Sequence, residues 1–254
     1  MVLAEKRIIL TGGSGGLGQF VAADFVREGA DLTVMSRTWD GNGNNQVRHF
    51  AVDLSTPEGL VEASTFVVLK EPDILINMAG VQYFGPTEGQ SFEDMHRSYM
   101  VNLVAPAALC RACLQSMKYR KSGQIANVGS IFASIPSAHF AAYSSAKAGL
   151  RALSEALRRE LVDTGVTVTY IAPRAVRTAM LTPEILSYAE LTGMTIDPPE
   201  IISKKIVKAI KQRQKDVYIG FLEQIYVRLN GVLPRLVDAA VAGGDRKAKK
   251  LLAA

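Results

Sequence analysis

No apolar run in the chain approaches the roughly 20 residues that a membrane-spanning helix needs, so no spanning segment is expected. The stretch from Met1 to Arg7 is too short and too charged for a signal peptide. A cytoplasmic location is the expectation. Cysteine is scarce: only Cys110 and Cys113 are present. A redox pair wants its C-x-x-C at a helix N-terminus just after a strand, where the dipole lowers a thiol pKa. These two fall inside the apolar helical stretch 101–117, so buried reduced thiols are expected, and no residue is assigned to a metal. Linkers and internal repeats are also missing, which leaves one domain over residues 1–254 as the expectation. Disorder and fibrous repeats are excluded by 48% hydrophobic and 21% charged residues. The net charge of +5 owes much to Arg246, Lys247, Lys249 and Lys250. Such an end can touch anionic lipid, but a solvated terminus is the plainer reading, and nucleic acid is not expected as a partner.

What is present is an alternation. Short β-rich runs at 7–11, 32–36, 47–53, 74–77, 124–128, 166–171 and 217–221 are mostly apolar throughout, as parallel strands covered on both faces must be. Helix-length segments at 17–28, 57–69, 92–118, 141–164 and 200–213 separate them. Thr56-Pro57-Glu58 supplies a cap, an N1 proline and an early acid, and Ser91 with Asp94 reads as a capping box. The pattern predicts an α/β fold: one doubly wound parallel sheet of the Rossmann type, with helices on both faces. One crossover is odd. Residues 38–46 are rich in Gly and Asn, which suit turns and oppose helix.

Residues 11–18 read Thr-Gly-Gly-Ser-Gly-Gly-Leu-Gly, directly after the first strand. Glycines there let a backbone approach a pyrophosphate seated on the helix N-terminus. Gly12, Ser14, Gly16, Leu17 and Gly18 are the candidate contacts. At the end of the second strand an NAD site would want an acid for the ribose hydroxyl. None stands there. Ser36 and Arg37 do, and a guanidinium suits a 2′-phosphate, so NADP(H) is expected ahead of NAD.

Tyr143 and Lys147 are spaced i, i+4 and share one helix face. A tyrosine acting as general acid/base must have its pKa brought from about 10 toward neutrality. Lys147 is expected to do this, since an adjacent ammonium favours phenolate. Ser130 follows the fifth strand, where its hydroxyl could hold a substrate oxygen beside the phenol. The glycine loop, Ser36-Arg37, Asp53, Asn77, Ser130 and Pro173 all fall at or just past strand C-termini, the edge where open α/β sheets bind ligands.

At these residues the sequence resembles the short-chain dehydrogenase/reductase family, in its branch of about 250 residues with the Tyr-x-x-x-Lys motif. The matching markers run from residue 7 to about residue 180: TGGSGGLG at 11–18, Asp53-Leu54, NMAG at 77–80, Asn102, Ser130, YSSAK at 143–147, and Pro173 with Thr178. The resemblance implies that Tyr143 is the proton donor and acceptor and that Ser130 orients the substrate oxygen. Lys147 would bind the nicotinamide ribose and lower the tyrosine pKa, and Asn102 would support a proton-relaying water. Asp53 and Leu54 would flank the adenine, Asn77, Ala79 and Gly80 would wall the cofactor, and Thr178 would contact the carboxamide or pyrophosphate. The implied activity is hydride transfer between NADP(H) and a carbonyl or secondary alcohol. Non-catalytic alternatives are an NADP-binding redox sensor and a membrane-surface adaptor.

Three departures stand out. The family's second Asn is Met78, and its Pro-Gly after the sixth strand is Pro173-Arg174, which puts a cation beside the nicotinamide end. The family's glycine-rich ending after the last strand is absent, so a homodimer is expected rather than a tetramer. Residues 174–215 would form a largely apolar substrate lobe, which favours a hydrophobic ketone or acyl substrate. In the tail at 222–254, Leu222, Ile225, Tyr226, Leu229, Leu233 and Leu236 make an apolar helical stripe broken near Gly231 and Pro234. It is expected to pack on the protein itself or across a dimer, with weak membrane-surface contact as the alternative.

Overall fold

The computed structural model describes residues 1–39 and 46–252. The crossover read at 38–46 therefore lies largely outside the described residues, as does the side chain of Lys250. Seven of the strands are β1 (Arg7–Thr11), β2 (Asp31–Ser36), β3 (Arg48–Ala51), β4 (Ile74–Asn77), β5 (Gly123–Val128), β6 (Val166–Ala172) and β9 (Asp216–Tyr218). Among the described residues these form one parallel sheet in the order β3-β2-β1-β4-β5-β6-β9. A second, two-stranded sheet pairs β7 (Ala175–Val176) with β8 (Ile196–Asp197).

The apolar strands are explained by their two-sided burial. Successive side chains point to opposite faces, and both faces are covered. Ile8 and Leu10 enter a core with α1 (Gly16–Arg27) and α7 (Pro199–Lys211). Ile9 enters the opposite core with α2 (Pro57–Lys70), α4 (Ala105–Tyr119) and α5 (Ala141–Glu160). The doubly wound fold expected from the alternation is what forms. Local signals also hold: the Thr56 side chain accepts from the Gly59 amide, and that of Ser91 accepts from the Asp94 amide.

The helix expected over 92–118 is divided. It comprises α3 (Phe92–Tyr99), a π-helical turn (Met100–Val104) and α4. Asn102 explains the break. Its Nδ2 donates to the Ser98 carbonyl one turn back at 2.9 Å and to the Val81 carbonyl at 2.7 Å, inserting a side chain into the helical ladder. Over its whole length, Phe92–Tyr119 is apolar enough to cross a membrane by length and composition, which counting uninterrupted apolar residues misses. In this fold it packs on α2 and α5. Cys110 and Cys113 are buried free thiols on α4, and burial pushes the Cys110 thiol up to about 12.

The C-terminal tail is expected to pack on the protein itself or across a dimer. It forms α8 (Phe221–Val232) and α9 (Pro234–Leu252), parted at Leu233 as Pro234 dictates. α9 lies across α6 (Pro183–Thr192), where Ala248 joins Ile185 and Tyr188. Within the single chain the apolar stripe of α8 leaves Leu222, Ile225 and Tyr226 exposed, with Phe221 beside them, so packing on the chain's own body does not cover it. The side of α8 that faces the body carries the polar contacts of Glu223, Gln224 and Asn230, with Val227 packed beside them.

A buried polar chain ties the central strands to α5. Asn77 Nδ2 donates to Asn127 Oδ1 at 2.8 Å, Asn127 Nδ2 to Ser154 Oγ at 2.9 Å, and Ser154 Oγ to the Leu150 carbonyl at 2.7 Å. Removing its middle member should leave two buried groups short of partners. Asn127→Ala is expected to cost about 2–4 kcal/mol, read from urea unfolding. A loss below about 1 kcal/mol would show that the chain relaxes around the gap.

Candidate active site

The glycine loop lies where β1 ends and α1 begins. Gly12 has φ +73°, and a Cβ there would come within 2.6 Å of the Ala79 Cα. A Cβ on Gly18 would reach the Gly12 carbonyl at 2.1 Å. Backbone passes backbone too closely for any other residue. α1 opens on Gly15 without a side-chain cap, which leaves its first turn suited to an anion. Half-buried Ser14 accepts at its carbonyl from Gln19 Nε2 at 3.1 Å, and Leu17 packs into the α1 core. Thr178 rests on Gly16, so the segment after β6 covers the loop. Thr11 binds the third wall: its Oγ1 accepts from the amides of Met78 and Ala79, each at 3.0 Å.

At the outer edge Arg37 is exposed, and the Ser36 hydroxyl is already engaged. It donates to the Thr38 carbonyl at 2.8 Å and faces His49 Nε2 at 3.2 Å. Asp53 accepts from the Ser55 amide and hydroxyl at 2.9 and 2.7 Å. Those bonds, with the Arg37 charge behind them, hold its carboxyl below the usual range. Leu54 is a core residue. Asn77 turns inward to Asn127 and Cys110, so its backbone, and not its side chain, is what it offers a cofactor.

The remaining residues converge beyond Gly80. A Cβ built on Gly80 would lie 3.1 Å from Asn102 Oδ1 and 3.7 Å from Lys147 Nζ. Asn102 Oδ1 is buried without a hydrogen-bond partner among the described residues. Lys147 Nζ donates to the Val128 carbonyl at 3.0 Å and stands 5.8 Å from the Tyr143 ring centroid. Ser130 follows β5 and hydrogen-bonds Tyr143. The Pro173 carbonyl accepts from the Ile131 amide at 3.1 Å, joining the strips after β5 and β6.

Electrostatics here differ from expectation. Burial raises the Tyr143 pKa, and the bond from Ser130 offsets only part of that. The Lys147 ammonium is turned to the Val128 carbonyl and is itself poorly solvated. Burial pushes Lys147 down to about 8. The resting phenol is protonated.

A sequence model of the family described as short chain dehydrogenase matches residues 6–187, more than half of the chain. The chain belongs to the short-chain dehydrogenase family. Ketoacyl reductase HetN of Nostoc sp. is 32% identical over 93% of this chain and 88% of its own. Among solved structures, a short chain dehydrogenase from Burkholderia cenocepacia in complex with NADP superposes with a TM-score of 0.80 at 21% identity, covering 95% of this chain and 99% of that one. A 4-hydroxyisoleucine dehydrogenase complexed with NADH does so with a TM-score of 0.76 at 24% identity, covering 85% and 97%. At those identities the structures share the fold; the family itself rests on the sequence.

In this short-chain dehydrogenase the glycine loop fits a dinucleotide, because the cradle at Gly12 is one that any Cβ would fill. Arg174, the residue in place of the family's glycine, is held by two carboxylates. Its guanidinium binds both oxygens of Asp197 at 2.7 and 2.9 Å and Glu223 at 3.1 Å. Three supporting residues were not singled out from sequence: Thr11, His49 and Tyr170. Tyr170 lies on β6, and its hydroxyl donates to the Ser130 carbonyl at 3.4 Å. A tyrosine in a strand buried on both faces was the available signal, since its hydroxyl needs a partner.

The depressed Lys147 pKa has a measurable consequence. At pH 7 the folded protein buries an ammonium. As pH rises past about 8 that proton leaves, while the unfolded chain keeps its own to about 10.5. Stability rises where the unfolded state binds more protons. The wild type should therefore gain stability relative to Lys147→Met between about pH 7 and 9.5, by urea midpoints at each pH. The buried thiols titrate alike in both proteins, so identical pH profiles would exclude Lys147 as the group.

Proposed function

We propose that the protein is a cytoplasmic NADP(H)-dependent oxidoreductase, and a dimer before a tetramer, acting on a carbonyl or the corresponding secondary alcohol. The observation that carries the reading is the meeting of Ser130, Tyr143 and Lys147 beside Gly80, next to a loop too tight for any side chain. Gly12, Gly16, Gly18 and Thr178 would hold the pyrophosphate, and Ala79 and Gly80 the inner wall. The bound cofactor would supply or accept the hydride. Ser130 holds the substrate oxygen, and Tyr143 donates its proton to it. Because burial keeps that phenol protonated, the resting site is poised for reduction. Lys147 is positioned to hold the ribose hydroxyls, and Asn102 Oδ1 offers a buried acceptor for a proton-relaying water.

An apolar substrate is supported by the rings around Tyr143. Phe132 stands edge-on to it with centroids 6.4 Å apart, and Phe84, Phe140 and Tyr188 pack behind. An acyl ketone is one such substrate, and it matches the name of the Nostoc relative.

Tyr143→Phe keeps the ring and removes the proton. Turnover of hydrophobic ketones should fall by roughly 10²–10⁴ while NADPH binding stays nearly intact. Comparable turnover in the mutant would sink the assigned role.

Cofactor choice rests on Arg37, because the Ser36 proton is already committed to Thr38. One charge-assisted contact contributes about 1.5–3 kcal/mol, so NADPH should bind about tenfold to a few hundredfold tighter than NADH. Arg37→Ala should erase most of that preference and leave NADH binding nearly unchanged, by fluorescence titration of both cofactors. Equal or tighter NADH binding by the wild type would overturn the NADP assignment.

A further inference from the structure

α8 turns much of its apolar surface outward. Its polar side chains face the body: Glu223 pairs with Arg174, Gln224 Nε2 donates to the Tyr218 carbonyl at 3.0 Å, and Asn230 Nδ2 donates to the Ser134 carbonyl at 2.7 Å. Val227 also packs inward, against the cluster that holds Ile131 and Tyr170, but Phe221 and Val232 are each 76% exposed and Leu222 is 60% exposed. Together with Ile225 and Tyr226 they occupy an arc of about 140° around the helix, with exposed Arg228 at its border. Leu233 and Leu236 extend the same apolar surface toward α9. α9 itself buries Val237 and Ala248, which turns Arg235 and Arg246 to the opposite, solvent side; Lys247 and Lys249 are exposed as well. A contiguous apolar surface of this kind is rare on a free soluble chain and marks a contact face.

We propose that this face docks on an anionic lipid surface. The apolar side of α8 would lie at the headgroup–acyl boundary, and the flanking basic residues would meet lipid phosphates. Charge argues against a second copy as the occupant. A two-fold contact apposes the same patch from both chains. Of the acids on these two helices, Glu223 is tied to Arg174 and Asp245 lies near Tyr188. A phenol does not neutralise a carboxylate, so Asp238 and Asp245 stand against Arg228, Arg235, Arg246, Lys247 and Lys249; the surplus is positive, and two copies would repel where an anionic bilayer attracts.

The inference stands apart from the catalytic reading, because flotation follows protein and not turnover. Full-length protein should float with vesicles of three parts phosphatidylcholine to one part phosphatidylglycerol. It should float much less with phosphatidylcholine alone, and less again at high salt. Phe221→Ser with Val232→Ser should cut the bound fraction about tenfold or more. Both side chains are solvent-exposed, so the thermal midpoint and NADPH-dependent turnover should stay at wild-type values. The proposal is overturned if wild type stays in the soluble fraction with the anionic vesicles, or if the double variant floats equally well. It is also overturned if vesicle-free sedimentation shows self-association that the two substitutions abolish, since the face would then join copies of the chain.

Discussion

A parallel sheet must carry the chain back across one of its faces before the next strand can start, so the strand C-termini gather along a single edge. Every chemistry-bearing residue here depends on that constraint. The glycine loop follows β1, Arg37 follows β2, the Ala79-Gly80 strip follows β4 and Ser130 follows β5. Helix α5 then crosses close enough to bring Tyr143 and Lys147 to the same edge. Two hydroxyls hold neighbouring strips in register: Thr11 binds the strip after β4, and Tyr170 binds the one after β5.

The site holds polar groups that the core would otherwise reject. Lys147 sits nearly dry with a carbonyl as its partner, and Asn102 carries a buried oxygen with no hydrogen-bond partner among the described residues. Such groups cost stability, and they persist when the surrounding structure fixes them. The Asn77–Asn127–Ser154 chain is one means of fixing them, since it anchors the helix that carries Tyr143 and Lys147. The π-turn at Met100–Val104 is another, because it delivers Asn102 to Gly80 at the expense of regular helix.

What could be read from the sequence was what neighbours in sequence decide. Thr56 and Ser91 cap helices through bonds three residues away, and the buried strands declare themselves by unbroken apolar composition. The motif residues were legible because each strand end is marked locally. The π-turn was not, because Asn102 is held partly by Val81, which lies 21 residues away. His49 escaped notice because only the pairing of β2 with β3 sets it against Ser36. Helical spacing revealed that α8 has an apolar side but not which way that side points. Its direction follows from Gln224, which binds Tyr218 nearby, and from Glu223 and Asn230, whose partners Arg174 and Ser134 lie 49 and 96 positions away.

Arg174 carries a consequence for how this chain can change over evolutionary time. Its guanidinium joins Asp197 on β8 to Glu223 on α8, residues 23 and 49 positions away. Losing either carboxylate leaves Arg174 paired with the other, whereas losing Arg174 leaves part-buried carboxylates behind, and such a charge is costly without its partner. Returning Arg174 to glycine by a single substitution would strand two carboxylates at once. Arg174 is thus difficult to lose in one step while both acids remain, and it should be inherited with them, the three marking a lineage more durably than any one of them would alone.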